Sequence, residues 1–204
     1  MSAVGFSNRI RLRFAVVASA MATCIALAQS PSDNMGPETY VIDRTHTFVI
    51  WEAKHFGTAI SRGRFDRKEG SITIDTFAKT GKADISIDLK SISTGTGVFD
   101  RLLQGKNFFN SDEFPTAIFT GDQFKFDGDK VTEIAGTLTV NGKTNPVTLK
   151  ASNYNCHLSP VLRKQVCGGD FDAHIKRSDF GMNYLVPFVS DATRLVIQIE
   201  AIRQ

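Results

Sequence analysis

The chain has 204 residues, with 24 Lys and Arg against 21 Asp and Glu, a formal net charge of +3. Three of the arginines (Arg9, Arg11 and Arg13) precede residue 28 with no acidic residue beside them, so 21 basic residues balance 21 acidic ones over the rest. No Lys/Arg block stands out there, which argues against electrostatic capture of nucleic acid.

The N-terminus reads as an export signal. The three arginines give a positive start, an apolar run extends from Phe14 to Leu27, and Ala26-Leu27-Ala28 offers a small-x-small cleavage site. The run is shorter than the roughly 20 apolar residues of a membrane span. Residues 1–28 are therefore expected to be a cleaved signal peptide and the mature protein to be periplasmic. Met21-Ala22-Thr23-Cys24 fits a lipoprotein signal poorly. Residues 29–37 (QSPSDNMGP) are polar with Pro and Gly and read as a tether. One domain is expected over 38–204, a length that suits a single core.

That domain reads as strands. Thr39 to Ala53 is rich in β-branched and aromatic residues. Ser71–Asp75 and Lys82–Leu89 alternate apolar and polar with period two. Val98, Phe99, Leu102 and Leu103 then recur at helical spacing between Gly97 and Gly105, predicting a short amphipathic helix. Residues 107–115 (NFFNSDEFP) follow as an aromatic loop. Further strands are predicted over 117–126, 131–140, 146–151, 171–176 and 193–202. Asp127-Gly128-Asp129 and Asn141-Gly142 mark hairpin turns. Cys156 and Cys167 form an even pair in an oxidising compartment, so a disulfide is expected to pin the exposed loop between them. The fold class is all-β and mainly antiparallel, a barrel or sandwich, with closure favoured because it removes exposed edges.

Phenylalanine is abundant: 14 of the 16 lie after residue 28. Ordinary core filling and the lining of an elongated apolar cavity both account for this. Catalytic signatures are missing. The four histidines (His46, His55, His157 and His174) lack metal-ligand spacing, and neither a nucleophile elbow nor a Walker-type loop occurs. An enzyme is not expected, and nothing in the sequence points to a cofactor or a metal.

Several motifs in order resemble the YceI-like family, also described as polyisoprenoid-binding and lipocalin-like. Tyr40-Val-Ile-Asp43, His46-Thr47, Trp51 and His55 resemble its opening "Y-x-I-D-x-x-H-S … F … H". Gly63-Arg64-Phe65 fits "G-x-F". Asp88 to Gly95 resembles "I-x-x-x-S-I-x-T-G", and Phe108-Phe109-Asn110 with Phe114-Pro115 resembles "F-F-D … Y-P". Gly136 to Gly142 resembles "G-x-L-T-I-x-G", and Arg177 to Met182 matches "R-S-D-F-G-M". Thr47, Trp51 and Asn110 depart from the usual Ser, Phe and Asp, and the Cys156–Cys167 loop looks like an insertion.

The resemblance implies an eight-stranded lipocalin-like β-barrel with the helix near one end. It also implies an apolar interior that holds a polyisoprenoid, quinone- or prenyl-phosphate-like. The cavity lining is then assigned to Phe48, Trp51, Phe65, Phe99, Leu102, Leu103, Phe108, Phe109, Phe119, Leu138 and Phe180. His46, Arg101 and Arg177 are the head-group candidates, with pairing to Asp179 the competing reading for Arg177. A periplasmic carrier is the leading expectation, with transient membrane-surface contact. A non-catalytic scaffold for a membrane redox or stress-response system is the alternative, distinguished by a collapsed interior. The sequence leaves the oligomeric state open, a homodimer included.

Overall fold

The computed structural model describes Met1 and residues 36–204. The expected signal peptide and most of the tether lie outside the described residues. The described residues form eleven strands and one α-helix. In chain order the strands are β1 (Glu38–Ile42), β2 (Phe48–His55), β3 (Ala59–Phe65), β4 (Lys68–Asp75), β5 (Thr80–Asp88) and β6 (Ile92–Ser93). The helix α1 (Gly97–Gln104) follows, then β7 (Thr116–Asp127), β8 (Lys130–Val140), β9 (Lys143–Leu158), β10 (Gln165–Lys176) and β11 (Val189–Arg203).

All pairings are antiparallel, and they close. β1 and β2 lie end to end along β11: Tyr40 to Ile42 pair with its end, and Phe48 to Ala53 with its middle. β4 and β3 lie end to end against β1 and β2 in turn. The ring β1-β4-β5-β7-β8-β9-β10-β11 therefore returns to β1 as an eight-stranded barrel, with β2, β3 and β6 continuing its wall upward. Among the described residues closure leaves the eight-stranded ring without an edge, and above it β6 ends the sheet.

The predicted single strand from Thr39 to Ala53 is broken at residues 43–47. Asp43 N–H and Thr47 Oγ1 both donate to the Glu200 carbonyl (2.8 and 3.2 Å), and Asp43 accepts from Thr45 N–H (2.8 Å). His46 Nδ1 meets Asp43 at 2.8 Å on the surface of this corner. The Asp43 carboxylate raises the His46 pKa, and that hydrogen bond lowers the pKa of Asp43. The stability His46 contributes is present below its ordinary pKa and lost as pH rises through the raised one. The Asp43 contribution is lost as pH falls through its lowered pKa. A proton NMR titration should place the His46 midpoint above the ordinary value of about 6.5, and Asp43→Asn should return it there. A midpoint at or below the ordinary value in the unsubstituted protein contradicts the pairing.

β3 is not anticipated by the sequence, because Arg62, Gly63 and Arg64 interrupt any β signal. Its alternation emerges only in place, with Gly63 and Phe65 buried and Arg62 and Arg64 exposed. The Asn141-Gly142 turn forms as expected, both residues at positive φ (52° and 67°) with Val140 paired to Lys143. The Cys156–Cys167 disulfide is present. It lies within the β9–β10 hairpin rather than at the base of a loop: the two residues are register partners, and the strands run on to Leu158 and Gln165.

Candidate functional site

At the helix end the wall is incomplete. Asp88 on β5 pairs with Thr116 on β7, but β6 above it pairs only with β3. The chain between them leaves the wall and returns, with Leu89 N–H donating to Pro115 O (2.8 Å) at its base. This excursion carries α1. Thr94 donates from both N–H and Oγ1 to Asp100 (2.7 and 2.6 Å), which staples the first turn of the helix to the preceding strand. Phe99 and Leu103 face inward, whereas Val98 and Leu102 are exposed, so only part of the apolar stripe is covered.

Inside the barrel are two abutting apolar chambers. The lower has a volume of about 90 Å³ and is lined by Tyr40, Thr47, Phe119, Ile134, Tyr154 and their neighbours. The upper has a volume of about 200 Å³ and lies under α1, lined by Trp51, Phe65, Phe99, Leu102, Leu103, Phe108, Phe109 and others. Val49, Ile87, Leu138 and Leu195 line both, forming a waist between them. Burial pushes the Tyr154 phenol up to about 12. It raises Tyr40 too, helped by the bond Tyr40 donates to Glu38 (2.6 Å), so the lower chamber contains no ionised tyrosine at neutral pH.

Nine of the eleven predicted lining residues border these chambers: eight border the upper or both, and Phe119 borders the lower. Phe48 does not. It stands on the outer face of β2, under the cations of Arg64 (5.9 Å) and Lys68 (5.1 Å). Phe48 and Trp51 are three residues apart, and strand alternation sends them to opposite faces. Phe180 is buried at 1 % exposure within the hydrophobic core but borders neither chamber.

The three head-group candidates are also redistributed. His46 sits on the exposed β1–β2 corner, and Arg101 is on the exposed face of α1. Arg177 does border the upper chamber, but its guanidinium is consumed. Nε donates to Ser190 O (3.0 Å), Nη1 to Met182 O, and Nη2 to Tyr184 O and Val189 O (both 2.9 Å). It does not pair with Asp179. Burial lowers its pKa, with Asp191 opposing. Asp191 itself accepts from Ser178 N–H and Oγ (both 2.8 Å). Gly181 ends the turn at φ 82°, a conformation suited to glycine, and its N–H donates back to Ser178 O (2.9 Å). The Arg177–Met182 segment is thus a clasp that fastens residues 182–190 across the mouth.

The mouth itself was not anticipated. Phe56 and Phe188 border neither chamber but adjoin His55 and Val189, which border the upper one, and they stack on each other at 5.7 Å while 54 % and 62 % exposed. Leu102, Tyr184 and Leu185 are exposed yet border the upper chamber. They come from α1 and the clasped loop, so only the folded chain brings them together.

The family model of the YceI-like domain matches residues 40–201. The chain belongs to the YceI-like family. A UPF0312 protein of Pseudomonas paraeruginosa is 33% identical over 168 residues, covering 81% of this chain and 87% of that one. Among solved structures, a Campylobacter jejuni YCEI protein superposes with a TM-score of 0.65 at 26% identity, covering 74% of this chain and 90% of its own. A polyisoprenoid binding domain from Saccharophagus degradans superposes at 0.57 and 16% identity, covering 81% and 98%, which shows a shared fold. Within the YceI-like frame, the Tyr40–Thr47 motif is the corner between β1 and β2, and "R-S-D-F-G-M" is the clasp. Thr47 keeps the hydroxyl that the corner uses.

Proposed function

We propose that the chain is a periplasmic carrier that holds a polyisoprenoid lipid inside its barrel. The observation that carries this reading is the pair of abutting apolar chambers opening at an apolar rim. At roughly 0.8 kcal/mol per buried CH₂, four isoprene units supply ample affinity without polar recognition. The family membership and the Saccharophagus domain support the same ligand class. An open interior disfavours the scaffold alternative, which requires a collapsed one.

The test is native mass spectrometry of the protein purified from periplasm without detergent, followed by organic extraction. The expected result is a stoichiometric isoprenoid. A bare mass that stays unchanged after exposure to quinones and prenyl phosphates refutes the carrier reading.

The rim suggests how the cargo enters. Phe56, Phe188, Leu185 and Val98 present side chains that suit the interfacial region of a bilayer. The double variant Phe56→Ser, Phe188→Ser should slow isoprenoid pick-up from vesicles about tenfold or more. It should leave the bound amount at saturation unchanged. Equal pick-up rates would mean that the cargo does not enter across this rim.

A further inference from the structure

Trp51 is the single tryptophan of the chain and stands where phenylalanine is usual in the motif. Its side chain is inside the barrel, with the residue only 8 % exposed. It borders the upper chamber, opposite Gly63 on β3 and Leu195 on β11. The indole lies across Gly63: a Cβ there would come within 2.6 Å of Cζ2 and 2.8 Å of Nε1. Glycine at this position makes the space in which the ring is seated.

Two buried polar side-chain atoms lack a hydrogen-bond partner among the described residues, Trp51 Nε1 and Asn141 Oδ1. Of these two residues, only Trp51 borders a chamber. A buried N–H without an acceptor is unfavourable, and buried donors in folded proteins are nearly always paired. Further polar groups stand close by. Ala53, two residues along β2, is flanked in register by Ser61 and Thr193, and both border the same chamber.

The cations point the same way. Among the described residues, Arg177 is the one Lys or Arg bordering the upper chamber, His55 borders it four residues beyond Trp51 at the exposed end of β2, and the lower chamber has no Lys, Arg or His. Four donated bonds to backbone carbonyls occupy Arg177. A phosphate or diphosphate placed beside Trp51 would be desolvated without a counter-charge.

We infer that Trp51 Nε1–H is the head-group donor of the carrier site, and that the cargo is an isoprenoid ending in a neutral oxygen acceptor, a carbonyl or hydroxyl, and not a phosphate. The assignment rests on the carrier reading above. It also sets the orientation, with the head beside Trp51 under the mouth and the tail through the waist into the lower chamber.

The experiment compares three probes with the same C20 tail by equilibrium dialysis: geranylgeranylacetone, geranylgeranyl diphosphate and the corresponding hydrocarbon. The unsubstituted protein should bind the ketone about tenfold more tightly than the hydrocarbon, and the diphosphate more weakly than the ketone. Trp51→Phe should remove the ketone's advantage over the hydrocarbon. A single Trp gives a single indole N–H resonance, which should move downfield with the ketone and not with the hydrocarbon. Equal binding of ketone and hydrocarbon, an unchanged ratio in Trp51→Phe, or a preference for diphosphate overturns this assignment alone. Failure of all three probes to bind overturns the carrier reading and the assignment with it.

Discussion

Replacing Arg177 with Met should destabilise the domain by about 3 kcal/mol, the sum of several buried acceptors losing a charged donor. Four carbonyls, those of Met182, Tyr184, Val189 and Ser190, converge on one guanidinium. Each loss costs on the order of 1 kcal/mol, because part of the 182–190 segment lies at the surface and water replaces some of the bonds. Methionine also removes the cost of burying a charge, which limits the total. For a domain of this size, thermal unfolding should fall by roughly 6–12 °C.

Arg177→Lys should recover little. A lysine ammonium has three donors around one point, whereas the four carbonyls are spread over three guanidinium nitrogens. The clasp also holds Tyr184, Leu185 and Val189, which border the upper chamber. Faster loss of a bound isoprenoid should therefore accompany the fall in stability. Circular dichroism melts and dissociation rates check both. A variant that melts within about 2 °C of the unsubstituted protein would show that the loop is held by something else.

The barrel was legible in the sequence where its cause is local. Alternation over Ser71–Asp75 and Lys82–Asp88, and the Asn141-Gly142 turn, follow from the residues themselves. β3 was not, because Arg62, Gly63 and Arg64 carry little strand signal and Ala59–Phe65 is held as a strand by its pairing with β2, where the Trp51 ring covers Gly63. The lining was legible to the extent that parity was respected. Trp51 and Ala53 fall on one face with Val49, and that same parity excludes Phe48. The placement of the head-group candidates was hidden for a different reason. Charge and nearby motif suggested Arg177, but its partners are backbone carbonyls up to thirteen residues further on, and no side-chain pattern encodes them. The mouth required the fold, since its apolar residues come from α1, the β2–β3 turn and the clasped loop.

Leu138→Trp should separate binding from stability, moving them in opposite directions. Leu138 is buried on β8, opposite Phe119, and borders both chambers at the waist. Most core positions resist enlargement because the interior is already close-packed. Here the added ring enters empty apolar space, so folding stability should hold or rise by up to about 1 kcal/mol as the void is filled. The same ring closes the passage to the lower chamber. A tail that can no longer pass loses burial of roughly four or five carbons. At about 0.8 kcal/mol each this is near 3–4 kcal/mol, a factor of several hundred in affinity. Short isoprenoids that end above the waist should be affected far less. The measurement is a pair of dissociation constants, for a C10 and a C20 isoprenoid, beside a thermal melt. If both bind as in the unsubstituted protein while the melt is unchanged, the tail does not cross the waist and the lower chamber is no part of the site. If the C20 ligand alone is lost, the two chambers act as one elongated cavity.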